Sequence, residues 1–373
     1  MKRWLAFFCV VSLMLIGCSG GDGDADATPT PSKGQKYVAE EIAVLPDEEL
    51  VEDDNLVTTD LQTNQQGEPA LYNMKSEVDE NGEEYIALVE YSLNSKSVWQ
   101  TREFCKKALL ERYRKETEHS LDIVKVVRGD DGNLYALMKI SDPSTGYEKD
   151  AEKPYCAYSV LVIDEANNRF QEVKLQTAVT NEQGEEVDYA KEYDVIDFHV
   201  RENGTFFLVY SCSSAMWFDG TSGMQTSFCE TIADSAFSKN VGYGESEIVY
   251  YSSSDKLFHV LDSDSLTVMR EFVKEIPEDN RGYDWFFDVD TSEWQMYAFN
   301  QSGLYRISEF GKKASASIIS APGNFDALAD ANIYDVIVDN KQQVYVLLRR
   351  PSEDSESYEE SWEYGIVKYT IQK

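Results

Sequence analysis

The chain has 373 residues, 42% of them hydrophobic and 12% aromatic, which is enough apolar material for a sizeable core. Its 68 acidic residues against 34 basic ones leave a formal charge of -34. A surface of that sign repels nucleic-acid phosphates and anionic headgroups, so neither is a partner of the folded domain, and cationic or neutral ligands fit better.

Lys2 and Arg3 precede an apolar run, Trp4 to Ile16, that is too short to span a bilayer and has the layout of a secretory signal. Leu15-Ile16-Gly17-Cys18 resembles the bacterial lipobox, in which a branched residue, a small residue and a cysteine lead to lipid transfer onto the thiol and then cleavage. By that resemblance residues 1–17 are a signal peptide. Cys18 becomes the acylated first residue of a protein anchored in the cell membrane and facing outside, where several acyl chains give a hold that one does not. Residues 18–36 carry no large apolar side chain and are expected to form a disordered tether, roughly 20 to 25 Å from end to end as a flexible coil. Asp22, Asp24 and Asp26 imitate the opening of a calcium loop, but Ala27 and Lys33 stand where the turn glycine and the bidentate acid belong, so no metal site is expected.

Residues 37–373 are expected to form a single all-β domain. Tyr37 to Leu45 (YVAEEIAVL) alternates like a strand and has no hairpin partner of its own. The clearest unit is Leu121 to Ile140, in which Ile123–Val127 and Leu134–Ile140 flank Asp130-Asp131-Gly132-Asn133; Asp-Gly between such runs signals a β-hairpin. The unit returns at 193–211, 283–300 and 333–349, and more loosely at 71–92. A strand-rich repeat near 50 residues reads as one propeller blade per copy. The count is six, with seven as the alternative. The last copy is one strand short, so Tyr37–Leu45 is expected to pair with the C-terminal strand and close the ring, which leaves only short edges.

In such a meander the first and third turns of every blade share one rim, and the remaining links share the other. The short turns fall in the first class, whereas the long segments 46–70, 104–121, 141–156, 178–192 and 350–362 fall in the second. Loops on a rigid scaffold are where recognition resides, which makes the long-loop rim the working face. Carboxylates there mix with Tyr189, Tyr358, Trp362 and Tyr364, a chemistry that suits a glycan or a basic peptide; the alternative is a solvated acidic loop. An acid or amide recurs ahead of each inner run: Asn73, Asp122, Asp194, Asp234, Asp284 and Asp335. These residues would ring the channel mouth as ligand or cation contacts, or bond nearby backbone N–H groups as Asx-turns do. Phe104, Ala108, Leu109 and Tyr113 are spaced for a short helix within 102–118, the one basic patch.

Outside the cell the cysteines of the mature domain can pair; Cys105 and Cys156, both in working-face insertions, form the better pair, with buried free thiols as the alternative. His119, His199 and His259 are too scattered for zinc, and no motif of a hydrolase nucleophile or phosphate loop occurs. No catalytic residue, metal or cofactor is therefore assigned. Ser92 to Trp99 resembles an Asp-box turn, departing from it at Asn94, Lys96 and Val98, and suggests a second frame for the first blade with an extra strand in 50–63. Taken together, the chain resembles a Gram-positive surface lipoprotein carrying a YVTN-like or Asp-box-like propeller. That resemblance implies a non-catalytic binding or scaffold module for a glycan, peptide or protein. The alternatives are a glycan-active hydrolase or lyase using carboxylates in the central funnel, and a structural partner of a membrane transport assembly.

Overall fold

The computed structural model describes residues 36–44, 51–52, 55–56, 61–78, 82, 84–94, 98–142, 155–180, 184–212, 214–229, 241–243, 247–251, 257–262, 264–265, 268–273, 286–290, 295–300, 303–308, 317–321, 332–339, 343–351 and 362–372. All of them belong to one compact unit, Pro31–Lys373. The expected signal peptide, Cys18 and almost all of the tether lie outside the described residues, as do Asp234, Asp284 and Tyr358.

Strand β1 (Lys36–Val44) and a small hairpin, β2 (Val51–Glu52) with β3 (Asn55–Leu56), precede the first sheet. Sheet I holds β4 (Leu61–Thr63), β5 (Pro69–Val78), β6 (Glu84–Leu93) and β7 (Trp99–Phe104). Helix α1 (Lys106–Lys115) follows, and then sheet II: β8 (Ser120–Arg128), β9 (Leu134–Ser141), β10 (Cys156–Asp164) and β11 (Arg169–Lys174). A hairpin of β12 (Ala178–Thr180) and β13 (Glu186–Asp188) and helix α2 (Tyr189–Glu192) lead to sheet III: β14 (Val195–Val200), β15 (Phe206–Tyr210), β16 (Ala215–Phe218) and β17 (Gln225–Cys229). Sheet IV is β18 (Val241–Tyr243), β19 (Glu247–Tyr251), β20 (Leu257–Asp262) and β21 (Val268–Val273). Sheet V is β22 (Phe286–Asp290), β23 (Gln295–Asn300), β24 (Gly303–Ser308) and β25 (Ser317–Ala321). Sheet VI holds β26 (Asn332–Val338), β27 (Val344–Pro351) and β28 (Trp362–Gln372), with β1 as its fourth, outer strand. Every sheet is an antiparallel meander, and β1 runs against β28 from Lys36↔Gln372 to Val44↔Gly365.

The strands sort by depth as their composition dictates. β9 and β15 (FFLVY) are buried on both faces, as strands clamped between neighbouring sheets must be, whereas the outer strand β17 exposes Thr226 and Ser227. Core clusters join the sheets in sequence. Leu88, Met138 and Leu161 join I to II, Leu137, Phe198 and Tyr210 join II to III, and Trp217 with Leu261 joins III to IV. Tyr91, Leu347 and Tyr364 join VI to I, while first strands β18, β22 and β26 touch in turn. This is an all-β propeller arrangement.

The first unit corrects the simplest sequence frame. Its inner strand is β4, and the run around Tyr72-Asn73 is the second strand, β5; the Asp-box-like Ser92–Trp99 joins the third strand to the fourth, as the second frame expects. The ten-residue strands β5 and β6 make the most visible hairpin of the unit and hide the three-residue strand ahead of them. Consequently the long segment 46–70 shortens to the link 46–60.

At the turns, glycine is needed for two different reasons. Gly132, at φ 80, closes the Asp-Gly hairpin, and a Cβ added there would have nothing within 4 Å. A Cβ on Gly223, at φ 68, would lie 1.9 Å from the Lys174 carbonyl oxygen. Gly132→Ala is therefore expected to lose about 1–2 kcal/mol, the left-handed backbone term alone. Gly223→Ala adds a steric overlap with a neighbouring sheet and is expected to lose about 3 kcal/mol or more. Urea midpoints of the two variants check the order; equal losses would refute it.

Candidate functional site

The two rims are built differently. On the short-turn rim, Asx side chains hold nearly every described turn by accepting backbone N–H groups: Asn64 from Gln66 (2.9 Å) and Glu68 (3.0 Å), Asp131 from Asn133 (3.0 Å), Asn203 from Thr205 (3.0 Å), Asp219 from Ser222 (2.7 Å), Asp262 from Ser265 (2.8 Å) and Asp339 from Gln343 (2.8 Å). Those donors hold the Asp219 and Asp262 carboxyls below their ordinary range. The links 46–60, 105–119, 142–155, 175–194 and 352–361 all leave and re-enter their strands at the opposite rim.

Between sheets I and III the long-loop rim carries ordered structure. Helix α1 is shorter than the segment 102–118 because β7 continues to Phe104. Leu109 is fully buried between sheets I and II, and Arg112 donates to Glu172 of β11 at 2.8 Å and to Glu116 at 3.3 Å. The basic helix thus docks on an acidic edge, while Lys107, Arg114 and Lys115 face solvent. Asp188 caps α2 by accepting from Ala190 N (3.3 Å) and also takes the Thr177 hydroxyl (2.6 Å). Tyr189, one of the expected ligand aromatics, is half-buried: its ring meets Tyr210 at 5.6 Å and Phe228 at 5.1 Å edge to face, and Tyr193 at 5.3 Å. Tyr364 is core, packed against Tyr334 at 5.4 Å. Trp362 opens β28 opposite Pro351. Among the described residues, the aromatics that reach solvent on this rim are Tyr155 and Tyr193, at 41% and 37% exposure.

The recurring acids divide into two positions. Asp122 and Asp194 occupy equivalent places at the top of β8 and β14 and flank one lysine: Lys139 is the cross-strand partner of Asp122 and donates to Asp194 Oδ1 at 2.8 Å, which raises its own pKa. Both acids are exposed. Asp335 sits three residues deeper, just past a β-bulge in β26, where it accepts from Val336 N (2.8 Å) and from Leu61 N of sheet I (2.8 Å). Its structural counterpart is Asp197, past the bulge of β14, which accepts from Phe198 N (2.8 Å) and from Lys125 Nζ of sheet II (2.5 Å). Asn73 lies on a second strand and bonds Met74 N. Aligning the repeats on the Tyr-Asp pair misses this, because Tyr334-Asp335 stands three residues further along its strand than Tyr193-Asp194, with its acid past rather than before a bulge that β8, β14 and β26 share. The signal that finds it is two apolar residues, Asp, then a third: Val195-Ile196-Asp197-Phe198 and Ile333-Tyr334-Asp335-Val336. Among the described residues no group of His, Cys, Asp and Glu has metal-binding geometry.

Cys105 and Cys156 do not pair; both are buried free thiols. The first packs in the cluster between sheets I and II and the second in that between II and III, so a sheet separates them. Burial, with Asp164 and Glu165 nearby, pushes the Cys105 thiol up to about 11, and burial also raises Cys156. Both stay protonated and unreactive.

One buried charge cluster, unforeseen from sequence, lies between sheets I and II near the short-turn rim. The Arg128 guanidinium donates to Glu165 Oε1 (2.5 Å), to the Tyr72 hydroxyl (3.0 Å) and to Gly132 O (3.0 Å), and lies 3.6 Å from Glu90 Oε2. Tyr72 in turn donates to Glu90 at 2.9 Å, and burial holds its phenol far above the ordinary range, so it remains a donor. Arg128, Glu90 and Glu165 side chains are 8%, 5% and 7% exposed.

No protein-family profile matches the chain, and no curated protein matches it. Among solved structures it is similar to the WD40 β-propeller domain of Doa1, at 10% identity over 90% of this chain and 98% of that one, TM-score 0.39. It is also similar to a chain of a mitotic checkpoint complex, at 10% identity over 95% and 98%, TM-score 0.43. The propeller arrangement itself rests on the sheets and their packing.

Proposed function

We propose that the chain is a membrane-anchored extracytoplasmic binding or scaffold module. In this reading it is a six-bladed propeller closed by β1, held on the outer face of the membrane through acylated Cys18, and it takes a glycan, peptide or protein ligand on the long-loop rim. One observation carries the reading: short, Asx-held turns occupy one rim, while the links with their own helices, hairpin and exposed tyrosines occupy the other. Lys36 pairs with Gln372, at the end of β28 far from its start at Trp362, so the N-terminal end of β1 is at the short-turn rim. A tether leaving there turns the long-loop rim away from the membrane, toward ligands.

The test is a glycan and peptide array with the purified domain. Tyr155→Ala and Tyr193→Ala are expected to weaken whatever binds by about tenfold each, as truncated interface tyrosines do. Asp219→Asn, on the opposite rim, is expected to leave binding unchanged. Turnover of an array glycan would replace this reading with an enzyme, and binding lost only through short-rim changes would reverse the assignment of faces.

A further inference from the structure

The link 105–119 and the connection 142–155 meet at a single imidazole on the long-loop rim. His119 Nδ1 lies 3.0 Å from Glu116 Oε1, just past the C-terminal end of α1, and Nε2 lies 3.7 Å from Asp142 Oδ1. The imidazole ring is 4.4 Å from that of Tyr155, inclined by 37°. Asp142 and Tyr155 are the two roots of the connection and hold each other: Asp142 N donates to Tyr155 O at 3.1 Å, and Tyr155 N donates to Asp142 Oδ2 at 2.7 Å. Below them Ser120 Oγ donates to Ser141 O at 3.1 Å. The charged and titratable groups facing the ring are therefore Glu116 from the link and Asp142 and Tyr155 from the connection, with Arg112 behind Glu116 at 3.3 Å. The His119 contact is the leading cause that holds the Glu116 carboxyl below its ordinary range.

Two carboxylates face two ring nitrogens. A neutral imidazole donates from one nitrogen and turns a lone pair toward the other carboxylate, whereas the imidazolium donates from both. Imidazole takes up its second proton within roughly pH 5 to 8. We infer that His119 is a proton-operated clasp that fastens both roots of the 142–155 connection to the link behind α1. In acid the ring holds Glu116 and Asp142 together and stacks as a cation on Tyr155. When the ring gives up its second proton, the Asp142 side is released. Tyr155 is one of the two solvent-facing tyrosines among the described residues of this rim, so the clasp makes its setting beside sheet II a function of pH. The inference concerns the connection's roots and holds whether or not the rim binds a ligand.

The experiment is amide exchange and ring NMR on the full chain, which has only three histidines to assign. Protection of the Tyr155 amide, corrected for intrinsic exchange, is expected to be about fivefold greater at pH 5.5 than at pH 8, the worth of one partly exposed ion pair. The change should share its midpoint with the His119 ring signals. His119→Gln, which keeps a donor and an acceptor but gains no charge, should abolish the difference, and His119→Arg should hold protection high at both pH values. His199→Gln, which alters the pair with Asp130 on the opposite rim, should leave it intact. Protection that is flat with pH in the native chain, or that follows a midpoint other than that of His119, overturns the clasp without reference to any variant's folding. An unchanged response in His119→Gln does the same.

Discussion

Arg128→Met is expected to remove about 3–5 kcal/mol of folding stability, the loss that follows when one member of a buried ion pair is deleted and its partners stay charged. The guanidinium is the hub between sheets I and II: it reaches Glu165 on the turn after β10, Glu90 on β6 and the Tyr72 hydroxyl on β5. Glu165 keeps Arg102 at 3.3 Å and Glu90 keeps Tyr72, so neither is stripped bare, but each loses the cation that offset its desolvation. The cluster is not expected to be worth that sum in its own right, because an apolar replacement of a whole buried network is often neutral. The triple change Arg128→Met, Glu90→Gln, Glu165→Gln should therefore recover most of the loss. Urea unfolding of the single and triple variants decides it: a single variant within about 1 kcal/mol of the native chain, on the order of ordinary surface changes, would show that water reaches these groups freely.

Removal of Lys36–Val44 is expected to be the most damaging truncation. β1 is the outer strand of sheet VI, in register with β28 along nearly its whole length, and without it β28 presents an unpaired edge. Stability is marginal by nature, about 5–15 kcal/mol for a domain, so loss of one strand of sheet VI should take most of it. The truncated chain should aggregate or unfold without a sharp transition, and a synthetic Lys36–Val44 peptide should restore cooperativity by adding back as a strand. A truncated chain with the native midpoint would mean that sheet VI is complete with three strands, and the proposed closure would fall.

Both results bear on where information about this fold resides. The hairpin around Gly132 and the existence of α1 follow from alternation, helical spacing and turn chemistry within a few residues, and the pairing of the N-terminal strand with β28 follows from the last copy being one strand short. They were legible for that reason. The three residues of the inner strand β4 carry too little pattern of their own to be told from a loop, and the signal for a strand in 50–63 came from the Asp-box-like turn at Ser92–Trp99. Tyr189 and Tyr364 were equally ambiguous, because a tyrosine in an acidic stretch has the same sequence whether it meets solvent or Tyr210 and Tyr334.

Local residue order was enough to specify an all-β repeat, the positions of the short turns and the side of each meander on which the long links must open, because these depend on backbone preference and on strand order. Which polar groups meet was settled only when the sheets packed. A bulge at the same place in β8, β14 and β26 is followed by Lys125, Asp197 and Asp335, and packing of neighbouring sheets pairs Lys125 with Asp197 and Asp335 with the Leu61 amide. Sheet-to-sheet packing buries Arg128 between two glutamates, keeps Cys105 from Cys156 and draws His119 against Asp142 and Tyr155. Those contacts join residues far apart in the chain, and their geometry is set by how neighbouring sheets register against one another, a quantity that no stretch of sequence carries alone.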